Sequence, residues 1–519
     1  MEGCCSVGAI LKRIAHWTLN CVLAAVLLTS TLTVIPLTHS QASMTSLDFA
    51  TQKLVLADYL NQWSTPQTSG AWDSWSYHQC GISDTPHLTS NGIWTSLASI
   101  YYPLIGPYDA SDDAVVEYHI RLAQASGIDA FVVDWDGITG FYDFPHINAN
   151  FREMLRLAEL HGFGVAIDYD AMRYYVGHTG PGVSLIPDRK LALQQVHDDL
   201  AYAIKQFGPS PSYLKFRGVP VIFVFGAGGG ALTRAEWGSI ITKLSNEGVN
   251  AYYVDMQGQV EKLYPYFNGY FPWMGAGVEN IPSDSVSFID DWVRQLQRYS
   301  NIRWGLGVWA GFDNSAVNAW CAKDSSGKYW IQRLDRQNGL VYNQTWMAAL
   351  KNKPSFVFIV TWNDWNEATI IEPSVQFGYR YLEATAFYSA KFKNEKPSYA
   401  GIPVPYALYN ATLAVRQAQT DGRIVGLDAA NQTLQQAEQA FQSEQYSDAT
   451  TLAKQAIMLA HQTTTSTTSS SNSYTLSMPQ PPVSSTHFDA TYAVVAVVVV
   501  VLVAASVIAL ARKRETEKK

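Results

Sequence analysis

The amino-acid sequence predicts an α/β protein: a (β/α)8 TIM barrel followed by a small α-helical hairpin, with a C-terminal transmembrane helix. Three observations support this prediction. Residues 54–392 alternate short β-branched runs with amphipathic stretches, the apolar periodicity changes near residue 428, and an uncharged apolar run stands close to the C-terminus. The chain has 519 residues, 47% of them hydrophobic and 15% charged, which suits a barrel with attachments and excludes wholesale disorder.

Eight short runs within the first 400 residues have the composition of buried strands. They are Leu54–Tyr59, Ile128–Asp134, Gly164–Tyr169, Val219–Phe225, Ala251–Asp255, Tyr266–Phe271, Trp304–Trp309 and Ser355–Thr361. Between them, residues 113–126 carry an apolar helical face, and Thr233 with Glu236 forms a capping box that begins another helix. Strands that alternate with helices favour a parallel barrel over residues 50–400, and a doubly wound open sheet is the alternative.

The residues after the predicted barrel fall into four segments. Residues 408–461 are predicted to form an α-helical hairpin, because apolar residues such as Leu434, Ala437, Ala449 and Ala453 repeat at helical spacing. Residues 462–490 are rich in Ser, Thr and Pro, which is typical of a flexible stalk. Residues 493–511 are uncharged and long enough to span a bilayer, and the basic residues of 512–519 favour a cytoplasmic tail.

The N-terminal segment is typical of an exported protein. Lys12 and Arg13 precede a long apolar stretch, so residues 1–42 are predicted to be a secretory signal peptide or an uncleaved signal anchor. Both alternatives place the barrel outside the cell at the cell membrane. Cys80 and Cys321 are the two cysteines beyond this leader, and in an oxidising compartment they either pair or stay free.

Several classes of function are disfavoured by the composition. A formal net charge of −8 argues against nucleic acid as a partner, because phosphate contacts need a basic surface. The histidines lack ligand spacing and no HExxH motif occurs, so neither a metal nor another cofactor is predicted. The glycines of 226–230 are not followed by Lys-Ser/Thr, which disfavours a phosphate loop.

The eighth predicted strand leads into WNDWNEAT, residues 362–369. Catalytic groups of barrels lie on loops that follow the strands. Asp364 and Glu367 form a carboxylate pair that suits glycosidic bond cleavage, because one group protonates the leaving oxygen while the other assists attack at the anomeric carbon. Trp362 and Trp365 are predicted to stack on sugar rings and Asn363 to bind hydroxyls. The alternative is a polar loop that caps the next helix.

Polar and aromatic residues also follow three other predicted strands. They end the second, third and seventh strands and are predicted to bind substrate hydroxyls and rings: Asp134, Trp135, Asp136, Asp168, Tyr169, Trp309, Asp313 and Asn314. The alternative for each Asp is a capping or loop-forming role.

Residues 361–385, TWNDWNEATIIEPSVQFGYRYLEAT, resemble the C-terminal signature of glycoside hydrolase family 99 and its relatives, roughly N-E-W-x-E-G-T-x-I-E-P. Residues 100–135 are similar to the family's YYPWYG…H…AGID pattern, with Tyr101 and Tyr102 assigned to substrate binding. The resemblance covers residues 54–392 and implies a retaining, endo-acting glycosidase, characteristically cleaving α-mannosidic linkages. It further implies that Asp364 deprotonates the sugar's own 2-hydroxyl and that Glu367 is the general acid/base.

Three positions depart from the family pattern. Asp364 stands where the family has Glu, which shortens the reach by about 1.5 Å, Asn366 replaces the His of mannan-cleaving members, and Ala368 replaces Gly. These changes favour the broader family over its mannose-specific members. Two functions follow: a membrane-anchored extracellular hydrolase of α-linked glycan or polysaccharide, or a non-catalytic carbohydrate-binding or cell-envelope protein on the same barrel.

Overall fold

Eight parallel strands close into a barrel. They are β1 (Leu54–Tyr59), β2 (Ala130–Trp135), β3 (Gly164–Asp170), β4 (Val219–Phe225), β5 (Tyr252–Asp255), β6 (Gly269–Tyr270), β7 (Arg303–Trp309) and β8 (Phe356–Val360). Each strand pairs with the next in chain order, and β8 pairs back with β1 through registers such as Leu54 with Phe356. The closed sheet confirms the predicted (β/α)8 barrel over the open sheet, and every predicted strand overlaps an observed one.

Helices follow most of the strands and cover the outside of the barrel. They are α1 (Asp113–Ala125), α2 (His146–His161), α3 (Arg189–Gln206), α4 (Arg234–Asn246), α5 (Val260–Leu263), α6 (Ser287–Leu296), α7 (Leu340–Asn352) and α8 (Arg380–Lys393). The capping box predicted at Thr233 and Glu236 is present at the start of α4. Asp112 caps α1, because its side chain accepts a hydrogen bond from the Ala114 N–H.

Aromatic rings fill the barrel interior. The ring centroid of Phe358 on β8 lies 4.2 Å from that of Phe271, just after β6, and 5.7 Å from that of Phe223 on β4. Contacts between non-neighbouring strands cross the barrel, so its middle is a packed core and not a channel. A ligand therefore has no room in the middle of the barrel and can bind only at its ends.

Three further helices complete the described chain: α9 (Val404–Thr420), α10 (Leu427–Gln442) and α11 (Tyr446–Ala460). The predicted hairpin corresponds to α10 and α11, but α9 begins before residue 408 and packs with both of them. Small buried residues such as Ala437, Ala449 and Ala453 form the core of these helices. Helices α9 and α10 also contact α1, where Arg121 forms an ion pair with Glu438 of α10 at 3.0 Å.

The computed structural model describes residues 47–76, 85–90, 94–138, 146–171, 186, 188–228, 232–274, 287–324, 326–423 and 425–462. The leader, most of the stalk, the segment 493–511, the basic tail and Cys80 lie outside these ranges. Within them, no helix is both long and apolar enough to cross a bilayer. Residues 85–96 belong to a second unit, in which His87–Leu88 pairs antiparallel with Trp94–Thr95.

Candidate active site

The loop after β8 is a tight turn held by its own polar groups. The Asp364 N–H donates to the Thr361 hydroxyl at 2.9 Å, and Asp364 Oδ1 accepts from the Glu367 N–H at 2.9 Å. Asp364 is buried, while Glu367 is partly exposed. The turn therefore faces Glu367 toward solvent and keeps the carboxyl group of Asp364 below the surface. A purely loop-forming role for Asp364 accounts for this hydrogen bond. It does not account for the effect of the Glu367 charge on the pKa of Asp364.

Five carboxyl groups, one of them Asp58 on β1, converge where β1, β2, β3 and β8 end. Burial raises the pKa of Asp364 well above its usual value, and the negative charge of Glu367 raises it further. Burial also raises the pKa of Asp168, with contributions from Asp58 and Asp134. The sequence-predicted residues Asp134, Asp168, Asp364 and Glu367 are thus brought into one electrostatically coupled group.

Asp58 is a member of this group that sequence reasoning did not select. It lies on β1 in register with Val132, so Asp134 stands two residues further along the same face of the neighbouring strand. Its side chain is buried, and Oδ1 has no hydrogen-bond partner among the described residues. Burial, followed by the charges of Asp134, Asp364 and Glu367, raises its pKa well above the usual range. The sequence signal that could have identified Asp58 is a single carboxyl group inside the otherwise apolar strand LVLADY.

Three aromatic residues predicted to bind substrate face the helices instead. Trp135 packs against Tyr202 and Phe207 of the α3 region, and the Tyr169 hydroxyl donates to Asp199 of α3 at 2.9 Å. Trp309 stacks on Phe288 of α6. All three are completely buried, because successive side chains of a strand point to opposite faces and these occupy the outer one. Their assignment to substrate binding is corrected to core packing.

The two tryptophans of the β8 loop are also buried, contrary to the predicted stacking role. Trp362 packs against His119 and Phe131 behind the strands. Trp365 packs near Trp75, and its N–H donates to the Tyr108 hydroxyl and to Glu372. Neither ring has surface left for a sugar in this structure.

Asn363 links the loop after β8 to the backbone just after β1, where the first and last strands of the barrel meet. Its Oδ1 accepts from the Leu60 N–H at 2.7 Å, and its amide donates to the Leu60 carbonyl at 2.8 Å and to the Tyr108 hydroxyl at 3.0 Å. The side chain is buried with its hydrogen-bonding capacity used, so it positions the loop and does not face the substrate. This corrects the predicted binding role.

Beneath the loop lies a buried polar network centred on Glu372. Its Oε1 lies 3.1 Å from His119 Nε2, and its Oε2 accepts from the Tyr108 hydroxyl at 2.8 Å and from the Trp365 indole at 3.1 Å. The other ring nitrogen of His119 lies 3.0 Å from the Tyr59 hydroxyl. The network ties α1 and β1 to the loop that carries Asp364, and sequence reasoning missed Glu372.

A small cavity of about 110 Å³ opens beside this loop and is lined by residues that include Tyr101, Asp313 and Ala368. The Asp313 N–H donates to the Glu367 carbonyl at 2.8 Å, and its carboxylate pairs with Arg333 at 3.0 Å. Tyr101 is half-buried under the guanidinium of Arg336. Tyr101 and Asp313 therefore border the predicted site.

The remaining predicted binding residues hold the surrounding backbone. The N–H of Tyr102 donates to the side chain of Gln376, and Oδ1 of Asn314 accepts from the Gln332 N–H at 2.8 Å. Asp136 is buried just after β2. Cys321 is disulfide-bonded, while Cys80 lies outside the described residues. In the described part of the chain, no group of three or more His, Cys, Asp or Glu side chains is arranged to hold a metal ion.

Comparisons with known proteins agree with this architecture. The family model described as glycosyltransferase WbsX matches residues 279–385. The glycoprotein endo-alpha-1,2-mannosidase of Mus musculus is 20% identical over 404 residues, covering 71% of this chain and 81% of its own length. The enzyme of the same name from Xenopus laevis is 19% identical over 373 residues, covering 65% and 77%. The structure of the GH99 endo-alpha-mannosidase from Bacteroides thetaiotaomicron matches with a TM-score of 0.50 and 20% identity, over 67% of this chain and 98% of that one.

The fold and these similarities support a barrel protein of the glycoside hydrolase class. Within that class, the chain is similar to the endo-alpha-mannosidases of glycoside hydrolase family 99.

Proposed function

We propose that the chain is a retaining, endo-acting hydrolase of α-linked glycans or polysaccharides, with its barrel held outside the cell by the predicted C-terminal segment. The observation that carries the chemistry is the pair at the end of β8: a buried Asp364 beside a partly exposed Glu367, with the charge of one raising the pKa of the other. Two carboxyl groups in different environments suit an acid and a base in one reaction. The similarity to endo-mannosidases supports the substrate class.

The proposed reaction uses the substrate's own 2-hydroxyl. Asp364 takes the hydroxyl proton, the oxygen attacks the anomeric carbon, and the glycosidic bond breaks while Glu367 gives its proton to the leaving oxygen. Water then attacks the anomeric carbon of the resulting epoxide, Glu367 takes the water proton, and Asp364 returns its proton to the 2-oxygen. Two inversions retain the configuration. The raised pKa of Asp364 suits this role, because a carboxylate with a higher pKa is the stronger base when it is ionised.

The test is a set of substitutions assayed on a panel of α-mannans and α-glucans. Glu367→Gln removes the acid, so we expect at least a 100-fold loss on natural glycans and a smaller loss on substrates with good leaving groups. Asp364→Asn should impair both kinds of substrate alike, because the 2-hydroxyl must be activated whatever leaves. Asp364→Glu, which has the family's longer side chain, should stay active.

Asp291→Asn is the matched control, because this Asp lies exposed on α6 outside the carboxyl group cluster. Near-full activity of both Glu367→Gln and Asp364→Asn on a glycan that the parent cleaves would reject the assignment. Chemistry would then move to Asp134, Asp136 or Asp168.

A non-catalytic carbohydrate-binding function is the second candidate. It is favoured by the hydrogen bond from the Glu367 N–H to Asp364 Oδ1, which gives the shorter side chain a structural use at that position. Glycan binding without turnover of any member of the panel, by a folded parent protein, would select this function.

A further inference from the structure

The segment between β7 and α7 presents an exposed tryptophan. Phe312–Asp313 pairs antiparallel with Arg333–Leu334, and further out the Trp330 N–H donates to the Ala322 carbonyl at 2.8 Å. A bridge between Lys323 and Tyr329 narrows the segment into an arm. Trp330 is 54% exposed and has the most exposed indole among the described tryptophans.

This exposure contrasts with the other tryptophans of the barrel. Eight described tryptophans, among them Trp309, Trp362 and Trp365, are fully buried. Leaving an indole in water forgoes about 2 kcal/mol or more of apolar burial. The arm has backbone hydrogen bonds of its own, and no described contact of the Trp330 ring explains why this residue is an indole. A ligand that covers the ring would explain it.

The arm is connected directly to the candidate catalytic loop. The Asp313 N–H donates to the carbonyl of Glu367, and Asp313 pairs in register with Arg333. Trp330 precedes Arg333 by three residues, which span at most about 11 Å. The ring is therefore close enough to the carboxyl pair for one glycan chain to reach both.

We infer that Trp330 is an outer sugar-binding platform, on which a neutral pyranose ring of a bound glycan stacks at a distance from the bond that is cleaved. This inference rests on the proposed function and adds a length preference to it. Aromatic rings bind the apolar C–H face of a sugar, and they do so without charge. The exposed residues around Trp330 in the arm, such as Asp324, Ser326 and Lys328, are polar, whereas the adjacent Tyr329 and Ile331 are partly buried. A protein partner would require a larger contiguous apolar patch than one indole.

The test compares Trp330→Ala and Trp330→Phe on a ladder of neutral α-linked mannose and glucose oligosaccharides and on a short aryl glycoside. We expect Trp330→Ala to raise KM about 3- to 10-fold on the longer oligosaccharides with kcat unchanged. The aryl glycoside, which is too short to reach the platform, should be cleaved as by the parent. Trp330→Phe should recover most of the loss, because a smaller ring still stacks. Met347→Ala, at an exposed apolar residue of α7, is the control.

An equal loss on short and long substrates would mean that the arm only supports the fold, and no loss at any length would overturn the platform directly. Binding is measured separately by calorimetry in a Glu367→Gln background. Trp330-dependent binding of long oligosaccharides that the parent never cleaves would retain the platform and reject the hydrolase. If the parent cleaves the oligosaccharides and Trp330→Ala leaves KM unchanged, the hydrolase is retained and the platform is rejected. If no protein of the set binds or cleaves any oligosaccharide, both are rejected.

Discussion

At the scale of single residues, the Asp364 carboxyl group is held where a negative charge is costly. Burial comes first among the causes of its raised pKa, and the charge of Glu367 comes second. Backbone N–H groups of Asn366 and Glu367 oppose the shift by donating hydrogen bonds. The carboxylate of Asp364 is therefore a stronger base than that of an ordinary Asp, but it becomes protonated at a higher pH.

This environment predicts the pH dependence. Asp364 must be ionised to accept a proton, so activity should fall as the pH decreases through its raised pKa, at a higher pH than for an ordinary Asp. Glu367→Gln removes the second cause of the shift, so the acidic limb should move to lower pH. The measurement is kcat/KM against pH on a substrate with a good leaving group, which the variant still cleaves. An acidic limb that stays in place or moves upward would contradict the coupling.

The backbone angle at Ala368 explains why the family has glycine at this position. The φ of 54° lies in the left-handed region, which favours glycine, and the family has glycine there. We predict that Ala368→Gly stabilises the protein by up to about 1 kcal/mol, because relief of strain exceeds the added chain entropy. Ala429→Gly, at an exposed position inside α10, should instead cost about 1 kcal/mol. Denaturant unfolding of the two variants measures both, and equal destabilisation would count against the strain.

The raised pKa of Asp58 predicts that its charged form lowers the stability of the fold at neutral pH. A carboxyl group whose pKa is raised in the folded state is disfavoured in its charged form, so its unfavourable contribution grows as the pH rises above the unfolded value near 3.8. Asp58→Asn removes this contribution, and we expect a higher unfolding temperature at pH 7. The gain should shrink toward pH 3, where both states hold the proton. A gain that does not depend on pH would indicate packing and not charge.

At the scale of elements, β1, α1 and the β8 loop are joined through Glu372. Two donors, the Tyr108 hydroxyl and the Trp365 indole, share its Oε2 in a site without solvent. Glu372→Gln keeps the shape but replaces one acceptor oxygen by an NH2 donor. We predict a loss of about 2–4 kcal/mol in the free energy of unfolding, because a buried donor loses its acceptor. A loss below about 0.5 kcal/mol would show that the network adapts.

The sequence predicted the strands and their ends well, and the faces of the strands poorly. Runs such as FVFIV in β8 are buried on both sides, so their composition identifies a strand without telling which residues point inward. Trp135, Tyr169 and Trp309 were assigned to the site for this reason. Asp134 and Asp168 do lie together, because the carboxyl ends of neighbouring parallel strands meet at one end of a barrel, and their binding of substrate stays a prediction. Trp330 could not be selected, because exposure is not readable from a loop sequence.

At the scale of the whole molecule, the predicted anchor has a direct test. The Ser/Thr-rich segment separates the described helices from the apolar run at 493–511. A chain that ends before about Thr486 should be released to the medium in folded form, with the unfolding temperature of the full-length protein. Membrane retention of this shorter chain would show that the N-terminal segment is an uncleaved anchor.

Helix α1 presents two opposite surfaces to the rest of the molecule. His119 faces the network under the β8 loop, whereas Tyr118 lies 5.3 Å from Tyr409 of α9, and Arg121 pairs with Glu438 of α10. A gene fragment cut at the apparent end of the barrel, near residue 400, would expose the Tyr118 ring to solvent and would take Glu438 away from Arg121, leaving that guanidinium with its 3.4 Å contact to Glu117 on the same helix. Helices α9 to α11 are for this reason better regarded as part of the barrel domain than as a separate appendage. A fragment made for expression should therefore end after residue 462.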